Sequence, residues 1–200
     1  MFSLRKPSPA ALARLADQQS HSPLTYAELG ATARTMPSGY HHGTWETDLG
    51  PFSEERFDQL ADALGHWQAQ TGSGFTIYPD EPARPGLTFA FSFPLPGAGW
   101  VTAAGRVIYV TREPGRSGFA YGTLPQHPEQ GEEAFHLVRQ GAKIMFTVCA
   151  FSRPRHPLVR LGSPVGRALQ ARVNNAYLGA MRQASEDSRD SRDSQAGPGT

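Results

Sequence analysis

The sequence predicts an α+β fold in which a curved, seven-stranded antiparallel sheet grips a long C-terminal helix. Short strand-like runs separated by Gly and Pro fill the chain from Gly74 to Ser152. No helical pattern of any length interrupts them, and a long amphipathic pattern follows them. Parallel strands need long crossover connections, which are usually helices, so this uninterrupted series predicts antiparallel pairing.

Two helices and one strand are predicted before that series. The segment "PSPAALARLADQ" favours a short N-terminal helix, with Pro at its start and an apolar face of Ala11, Leu12, Leu15 and Ala16. "YHHGTWETDL", Tyr40 to Leu49, has strand propensity and no helical stripe. The second helix begins after an N-cap at Ser53 and ends at Gly72. Its apolar face contains Phe57, Leu60, Ala61, Leu64 and Trp67.

Six more strands follow, bounded by Gly/Pro turns. They are "GFTIYP", "GLTFAFSFP", "GWVTAAGRVIYVTRE", "GFAYGTL", "EEAFHLVR" and "KIMFTVCAFS". Alternation in the second of them places Leu87, Phe89, Phe91 and Phe93 on one face.

The last helix begins at Ser163, a cap followed by Pro164 in the first turn. One face is predicted to carry Val165, Ala168, Leu169, Arg172, Val173, Ala176, Tyr177, Ala180 and Met181. The charged, apolar-poor end of the chain predicts a disordered tail over residues 185–200. Residues 1–23 are interpreted as an N-terminal helix and linker, and residues 24–184 as one helix-grip-like domain.

Composition limits the function. The 200 residues carry 19 Lys+Arg and 18 Asp+Glu, a net charge of +1, which argues against a nucleic-acid-binding surface. The single Cys149 forms no internal disulfide, and no apolar run reaches the roughly 20 residues of a membrane span. A cytoplasmic protein is therefore expected. No CxxC or HxxxH pattern occurs, so neither a metal site nor a cofactor is predicted; a protein partner is left open.

The order of elements is similar to the helix-grip architecture of the START and Bet v 1-like (SRPBCC) superfamily, whose members bind lipids, sterols or polyketides in a cavity. A more specific resemblance lies in "GFAYGTLPQHPEQGEEAF", with "LTYAELGATA" and "GRVIYV" before it and "FTVCAFSRP" after it. From about Leu24 to Met181 the chain resembles the uncharacterised domain-of-unknown-function family nineteen-ninety. That resemblance implies a single helix-grip-like domain and supplies no activity. It also implies that the His, Pro, Glu, Gly and Glu of "PQHPEQGEE" belong to the family's pattern.

The polar loop in this stretch allows two interpretations. Pro125 and Pro128 stiffen the connection between two strands, so His127 and Glu129 project from a fixed position. A His held beside a carboxylate suits general acid/base chemistry. The same arrangement also suits a structural hydrogen bond that closes a long hairpin. The catalytic candidates are His127, Glu129 and Glu133.

The neighbouring carboxylates are predicted to face opposite sides of the sheet. Glu133 shares its parity with Phe135 and Leu137, which places it on the inward face and leaves Glu132 to meet solvent. A buried carboxylate needs a partner, and Arg106 is the candidate. Either a structural ion pair or polar recognition at the cavity floor would satisfy it.

The function predicted from these observations is binding of a small, mostly apolar ligand between the sheet and the C-terminal helix. The ligand-binding candidates are Tyr121, His127, Glu129, Glu132, Glu133, Trp45, Trp100 and Arg106. One alternative is an enzyme of cyclase or hydrolase type, with His127 as general base and a Glu orienting it. Another is a protein-interaction module that uses the sheet edge or the basic segment from Arg153 to Arg167.

Overall fold

The computed structural model describes residues 2–95, 97, 99–155 and 163–193, and it describes no side chains for residues 163–169 and 189–193. In chain order the elements are β1 (Phe2–Ser3), α1 (Pro9–Gln19), β2 (His41–Pro51), α2 (Glu54–Gly65), α3 (Gln68–Thr71), β3 (Thr76–Tyr78), β4 (Thr88–Leu95), β5 (Gly99–Glu113), β6 (Arg116–Thr123), β7 (Glu129–Gln140), β8 (Lys143–Pro154) and α4 (Ser163–Asp193).

The predicted α+β class is confirmed. All strand pairs are antiparallel, and the seven predicted strands form one sheet in the order β2-β8-β7-β6-β5-β4-β3. The two-residue β1 pairs with β5 and was not predicted, because two residues carry no periodicity. The helices α2 and α4 cover one face of this sheet, the inner face, and the opposite face is the outer face.

Each face of the sheet has its own apolar core. On the inner face, Phe89, Phe119 and Phe135 pack against the helices, and the ring centroid of Phe135 lies 5.3 Å from that of Tyr177 on α4. Each such buried side chain contributes roughly 1.5–3 kcal/mol to folding. On the outer face, α1 packs its buried residues onto β4, β5 and the end of β6; this cluster consists of Leu12, Leu15, Ala16, Ala90, Ala104 and Leu124. Leu12, Leu15 and Ala16 are buried, which confirms these three positions of the predicted apolar face of α1.

The second predicted helix is interrupted before Gly72. Ser53 caps it as predicted, accepting a 3.3 Å hydrogen bond from the backbone N–H of Arg56. However, α2 ends at Gly65, and Trp67 adopts a left-handed φ of 65° before the single turn of α3. The indole of Trp67 explains the break, because it is buried against Phe89 with a centroid separation of 4.6 Å. Its Nε1 donates a 2.8 Å hydrogen bond to the carbonyl of Glu81, so tertiary contacts override the helical pattern.

The buried face of α4 is rotated from the predicted one. Tyr177, Ala180 and Met181 are buried as predicted, whereas Arg172 and Ala176 are exposed. Besides these three, the buried positions of α4 include Asn174, Leu178 and Ser185, so the face runs through residues 174, 177, 178, 181 and 185. Their three- and four-residue spacing defines one helical face. Val165, Ala168 and Leu169 of the predicted face lie outside the described side chains.

The chain is helical beyond the predicted domain boundary at residue 184. The helix α4 continues to Asp193, and Ser185 is only 2% exposed. Buried Arg56 donates hydrogen bonds to the Ser185 hydroxyl, to the carbonyl of Leu49 at 2.5 Å and to that of Pro51 at 2.7 Å. The predicted boundary at residue 184 therefore falls inside α4, where the guanidinium of Arg56 holds the turn at Ser185. Residues 194–200 lie outside the described part of the chain.

Among the described helices, none combines the length and the apolar character that crossing a membrane requires.

Candidate functional site

A cavity of about 150 Å³ lies between the inner face of the sheet and α4. Apolar side chains form most of its wall: Phe75, Phe91, Phe93, Val101, Ala103 and Val173. Polar side chains converge on it from β6, β7, the loop between them and α4: Tyr121, His127, Glu129, Glu133, Gln170, Asn174 and Tyr177. A mostly apolar concavity with a few placed polar groups is the usual form of a small-molecule site.

Tyr121 and Glu133 form the polar centre of the cavity. They are cross-strand partners on β6 and β7, so their side chains lie side by side on the inner face. The Tyr121 hydroxyl donates a 2.5 Å hydrogen bond to Oε2 of Glu133. Burial raises the pKa of Glu133 to about 7, although the hydrogen bond from Tyr121 acts in the opposite direction. The inward orientation predicted for Glu133 from its parity is therefore observed.

Glu129 is a second carboxyl group on the same wall. It begins β7, burial raises its pKa, and a hydrogen bond from the Ser152 side chain partly offsets that effect. The negative charge of Glu129 in turn raises the pKa of Glu133. Within the part of the chain that the structure describes, no three His, Cys, Asp or Glu side chains are grouped to hold a metal ion.

His127 is held by its own loop rather than by a carboxylate. Nδ1 of His127 lies 3.1 Å from both the backbone nitrogen and the carbonyl oxygen of Glu129, and the ring packs edge-on to Phe91 at 5.9 Å. Burial lowers the pKa of His127 to about 4, so the ring is neutral at pH 7. In either tautomer Nδ1 is engaged by the backbone of Glu129, so Nε2 is the ring nitrogen that remains for another partner. The contact that fixes the ring comes from the backbone of Glu129 and not from a Glu side chain, which differs from the predicted general base oriented by a Glu.

Asn174 was missed by the sequence prediction. It lines the cavity from α4 and is fully buried, yet neither its Oδ1 nor its Nδ2 has a hydrogen-bond partner among the described residues. The three- and four-residue spacing from Asn174 to Tyr177 and Leu178 was the available signal. An asparagine inside an otherwise apolar stripe marks a polar group directed toward the interior.

Glu132 lies on the outer face, where the prediction that it meets solvent is wrong. It is 2% exposed and is covered by the "LTYAELGATA" segment. Its carboxylate accepts hydrogen bonds from the Tyr26 hydroxyl at 2.6 Å, from the N–H of Gly30 at 2.8 Å, and from both the N–H (3.0 Å) and the hydroxyl of Thr32. These bonds join the two most specific sequence motifs, and they leave Glu132 engaged away from the cavity.

Arg106 does not reach Glu133, which corrects its predicted pairing. On β5 the residues that line the cavity are Val101 and Ala103, so alternation places Arg106 on the outer face. There its guanidinium donates to Thr88 Oγ1 at 2.9 Å and to the carbonyls of Gln19, Ser20 and Ser22. Arg106 thus fastens the end of α1 to the sheet.

The two candidate tryptophans also lie away from the cavity. Trp100 pairs with Ser3 of β1, and the Lys6 ammonium lies 5.5 Å from its ring centroid on the outer face. Trp45 packs against the inner core from β2 but is not among the described residues that line the cavity.

The basic segment is described only in part. Arg153 donates to Oε1 of Gln130 at 3.1 Å and lies over the ring of Tyr40, and Arg155 donates to the carbonyl of Pro125 at 2.9 Å. Both therefore support the β6–β7 connection. Arg160 and the side chain of Arg167 lie outside the described residues.

Known proteins are similar to this chain in sequence or in fold. A UPF0548 protein from Deinococcus radiodurans is 44% identical over 73 residues, which are 36% of this chain and 37% of that protein. The crystal structure of hypothetical protein jhp0584 from Helicobacter pylori is similar with a TM-score of 0.54 and 10% identity, covering 82% of this chain and 96% of that one. The di-domain ARO/CYC StfQ from the steffimycin biosynthetic pathway gives 0.53 and 10%, covering 76% of this chain and 52% of that one. At 10% identity, each of these two structures shows a similarity of fold to this chain and nothing about its function.

A protein-family model described as Domain of unknown function (DUF1990) matches residues 25–180. The match includes the segment that covers Glu132, the β6–β7 connection, and the described cavity-lining residues of α4. It confirms the resemblance that the motifs around Tyr121 to Glu133 indicated. The chain therefore belongs to the DUF1990 family.

Proposed function

We propose that this protein binds a small, mostly apolar ligand in the cavity between the sheet and α4. The observation that carries the proposal is an aromatic-walled volume of about 150 Å³ with hydrogen-bonding groups on one side. A cavity of this size in another protein accommodates a benzene ring, so the expected ligand has about one ring or an equivalent aliphatic group.

The polar side chains would orient the ligand. Nε2 of His127 is available for a hydrogen bond, and Tyr121 with Glu133 forms a hydroxyl–carboxyl pair at the polar centre. These groups come from two strands and a proline-stiffened loop, so their positions are fixed before a ligand enters. Such preorganisation reduces the entropic cost of binding.

Filling the cavity tests the proposal. The probe is benzyl alcohol, with binding measured by isothermal titration calorimetry and by saturation-transfer NMR. Ala103 lines the cavity and is fully buried, so Ala103→Leu is expected to weaken binding at least tenfold. Ala176→Leu makes the same change at an exposed position of α4 and is expected to leave affinity within twofold. Equal affinity of both variants, with circular dichroism confirming their folding, would contradict binding in this cavity.

The natural ligand is accessible by native mass spectrometry of the protein purified from its own cell. A retained small molecule that is absent from the Ala103→Leu variant is the expected result. A purified protein with no retained mass and no affinity for benzyl alcohol would refute ligand binding.

Proton-transfer chemistry is the second candidate, and Glu133 rather than His127 favours it. A carboxyl group whose pKa is about 7 exchanges protons readily at neutral pH. If the protein is such an enzyme, the retained molecule changes its mass or structure on incubation with wild-type protein. It remains unchanged with Glu133→Gln. An identical product mixture with both proteins rules this role out.

A further inference from the structure

The cavity contains two carboxyl groups and, among its described lining residues, no Lys or Arg. We propose that its ligand carries a positively charged nitrogen, as in a primary amine, which sits beside Glu133 with its apolar part against the aromatic wall. This inference rests on the proposed function and specifies the charge of the ligand.

Among the described residues, the side chains that form hydrogen bonds to these two carboxyl groups are uncharged hydroxyls. Glu133 accepts from the Tyr121 hydroxyl, and Glu129 from that of Ser152. The Coulomb effect of exposed His41 lowers the pKa of Glu129, and His41 is not among the described lining residues. Ionised carboxylates in an apolar site without cations are unfavourable, so a ligand ammonium would gain the missing Coulomb attraction. An anionic ligand would meet two like charges.

The aromatic wall favours the same charge. Phe75 and Phe93 stack with ring centroids 4.8 Å apart, and Phe91 lies 6.3 Å from Phe93. The faces of such rings carry negative partial charge and attract cations, most strongly where water is excluded. A wall of this kind beside a carboxylate is a suitable environment for an ammonium group.

Asn174 is the independent observation that something polar belongs in the cavity. Its side chain is fully buried, and both amide atoms lack a hydrogen-bond partner among the described residues. An unsatisfied buried polar group costs on the order of 1–3 kcal/mol. An ammonium N–H would satisfy Oδ1 of Asn174 while the same nitrogen contacts Glu133.

Three probes of nearly the same size separate the alternatives: benzylamine, benzyl alcohol and benzoate. Binding is measured by isothermal titration calorimetry at pH 8, where benzylamine is largely protonated and Glu133 is largely ionised. Benzylamine is expected to bind at least tenfold more tightly than benzyl alcohol, and benzoate more weakly than either. If benzyl alcohol binds and benzylamine is no tighter, the charge inference fails while the proposed function stands. If none of the three binds, both fail.

Substitution of the carboxyl group then locates the effect. Glu133→Gln is expected to weaken benzylamine about tenfold more than it weakens benzyl alcohol, because the negative charge is lost while the size of the side chain is kept. The matched control is Glu46→Gln, an exposed position of β2, which should change neither affinity. Asn174→Leu should weaken benzylamine more than benzyl alcohol and gives a second variant if Glu133→Gln folds poorly. Equal losses for both probes in both cavity variants would overturn the inference.

Discussion

The hydroxyl of Tyr121 donates a 2.5 Å hydrogen bond to the carboxylate of Glu133, its direct cross-strand neighbour in the cavity. Burial opposes the charged form of Glu133, and this bond favours it. The protonation state of Glu133 at neutral pH therefore depends on a balance between two effects that raise its pKa, desolvation and the charge of Glu129, and one hydroxyl group that lowers it. A change of either residue should be measurable as a change in proton affinity.

Tyr121→Phe should raise the pKa of Glu133 above its value of about 7, because the carboxylate loses its donor. The measurement is a pH titration of the Glu133 side-chain carboxyl carbon by NMR. Tyr109→Phe is the control, since its hydroxyl contacts Thr32 on the outer face. A Glu133 titration that is the same in wild type and Tyr121→Phe would show that the hydrogen bond has no role in setting its charge.

Glu133 should also make stability depend on pH. Its pKa is 4.5 in the unfolded reference and about 7 in the fold, so between these values the folded state binds the extra proton. Stability from this group is therefore present below pH 4.5 and lost as pH rises through 7, by roughly 3 kcal/mol. The difference in unfolding free energy between wild type and Glu133→Gln, from urea titrations at pH 5 and pH 8, should change in that direction.

The comparison with Glu133→Gln is needed because His127 changes the unfolding free energy with pH in the opposite direction. Its pKa falls from 6.5 to about 4 on burial, so the unfolded state binds the extra proton and stability rises with pH in that window. His136, buried on the outer face, behaves likewise. Both contributions cancel in the difference between wild type and variant. A difference that stays constant from pH 5 to pH 8 would contradict a Glu133 pKa near 7.

Sequence patterns predicted the sheet well because alternation and Gly/Pro punctuation are local signals. The same alternation placed Glu133 beside Phe135 on the inner face. It failed for Glu132, since a strand pattern states which side a residue faces and not what covers that side. The covering segment around Tyr26 comes from about a hundred positions earlier in the chain. Arg106 was mispaired for the same reason: its carbonyl partners lie at the last residue of α1 and just after it.

The helices were harder where packing decides against propensity. Trp67 leaves the helical conformation because its indole is buried between β4 and β6. Ser185 and Asn174 are polar residues in buried positions, so hydropathy alone assigned one to a tail and missed the other. Each is interpretable only with its surroundings, Arg56 for Ser185 and the cavity for Asn174.

The hydrogen bond between Arg56 and Ser185 predicts that the turn of α4 at Ser185 contributes to the stability of the fold. Ser185→Ala removes the hydroxyl that accepts from Arg56 and donates to the Leu49 carbonyl at 2.7 Å. We expect a loss of about 1–3 kcal/mol in unfolding free energy, because buried polar atoms lose partners. Gln183→Ala, at an exposed position two residues earlier, should change stability by less than about 0.5 kcal/mol. Urea unfolding that does not distinguish the two variants would indicate that this turn is dispensable.

On the outer face, Tyr26 of the "LTYAELGATA" segment lies next to Gly122 of β6 and forms a hydrogen bond with Glu132 of β7. A Cβ at Gly122 would contact the hydroxyl of Tyr26, which donates to Glu132. Gly122→Ala should therefore displace Tyr26 and destabilise the fold by roughly 2–3 kcal/mol, since it overpacks the site and breaks a hydrogen bond to a buried carboxylate. Gly179→Ala is the control: no atom lies within 4 Å of its added Cβ, and alanine favours the helix by up to about 1 kcal/mol.

A double-mutant cycle identifies the cause. Tyr26→Phe lacks the hydroxyl, so Gly122→Ala should cost at least about 1 kcal/mol less in that background than in wild type. Unfolding free energies from urea titrations of the four proteins give the coupling directly. Additive losses would mean that Gly122 is required for some reason other than the space it leaves for Tyr26. A marked loss of benzyl alcohol affinity in folded Gly122→Ala would show, in addition, that the contact between Gly122 and Tyr26 affects the cavity on the opposite face.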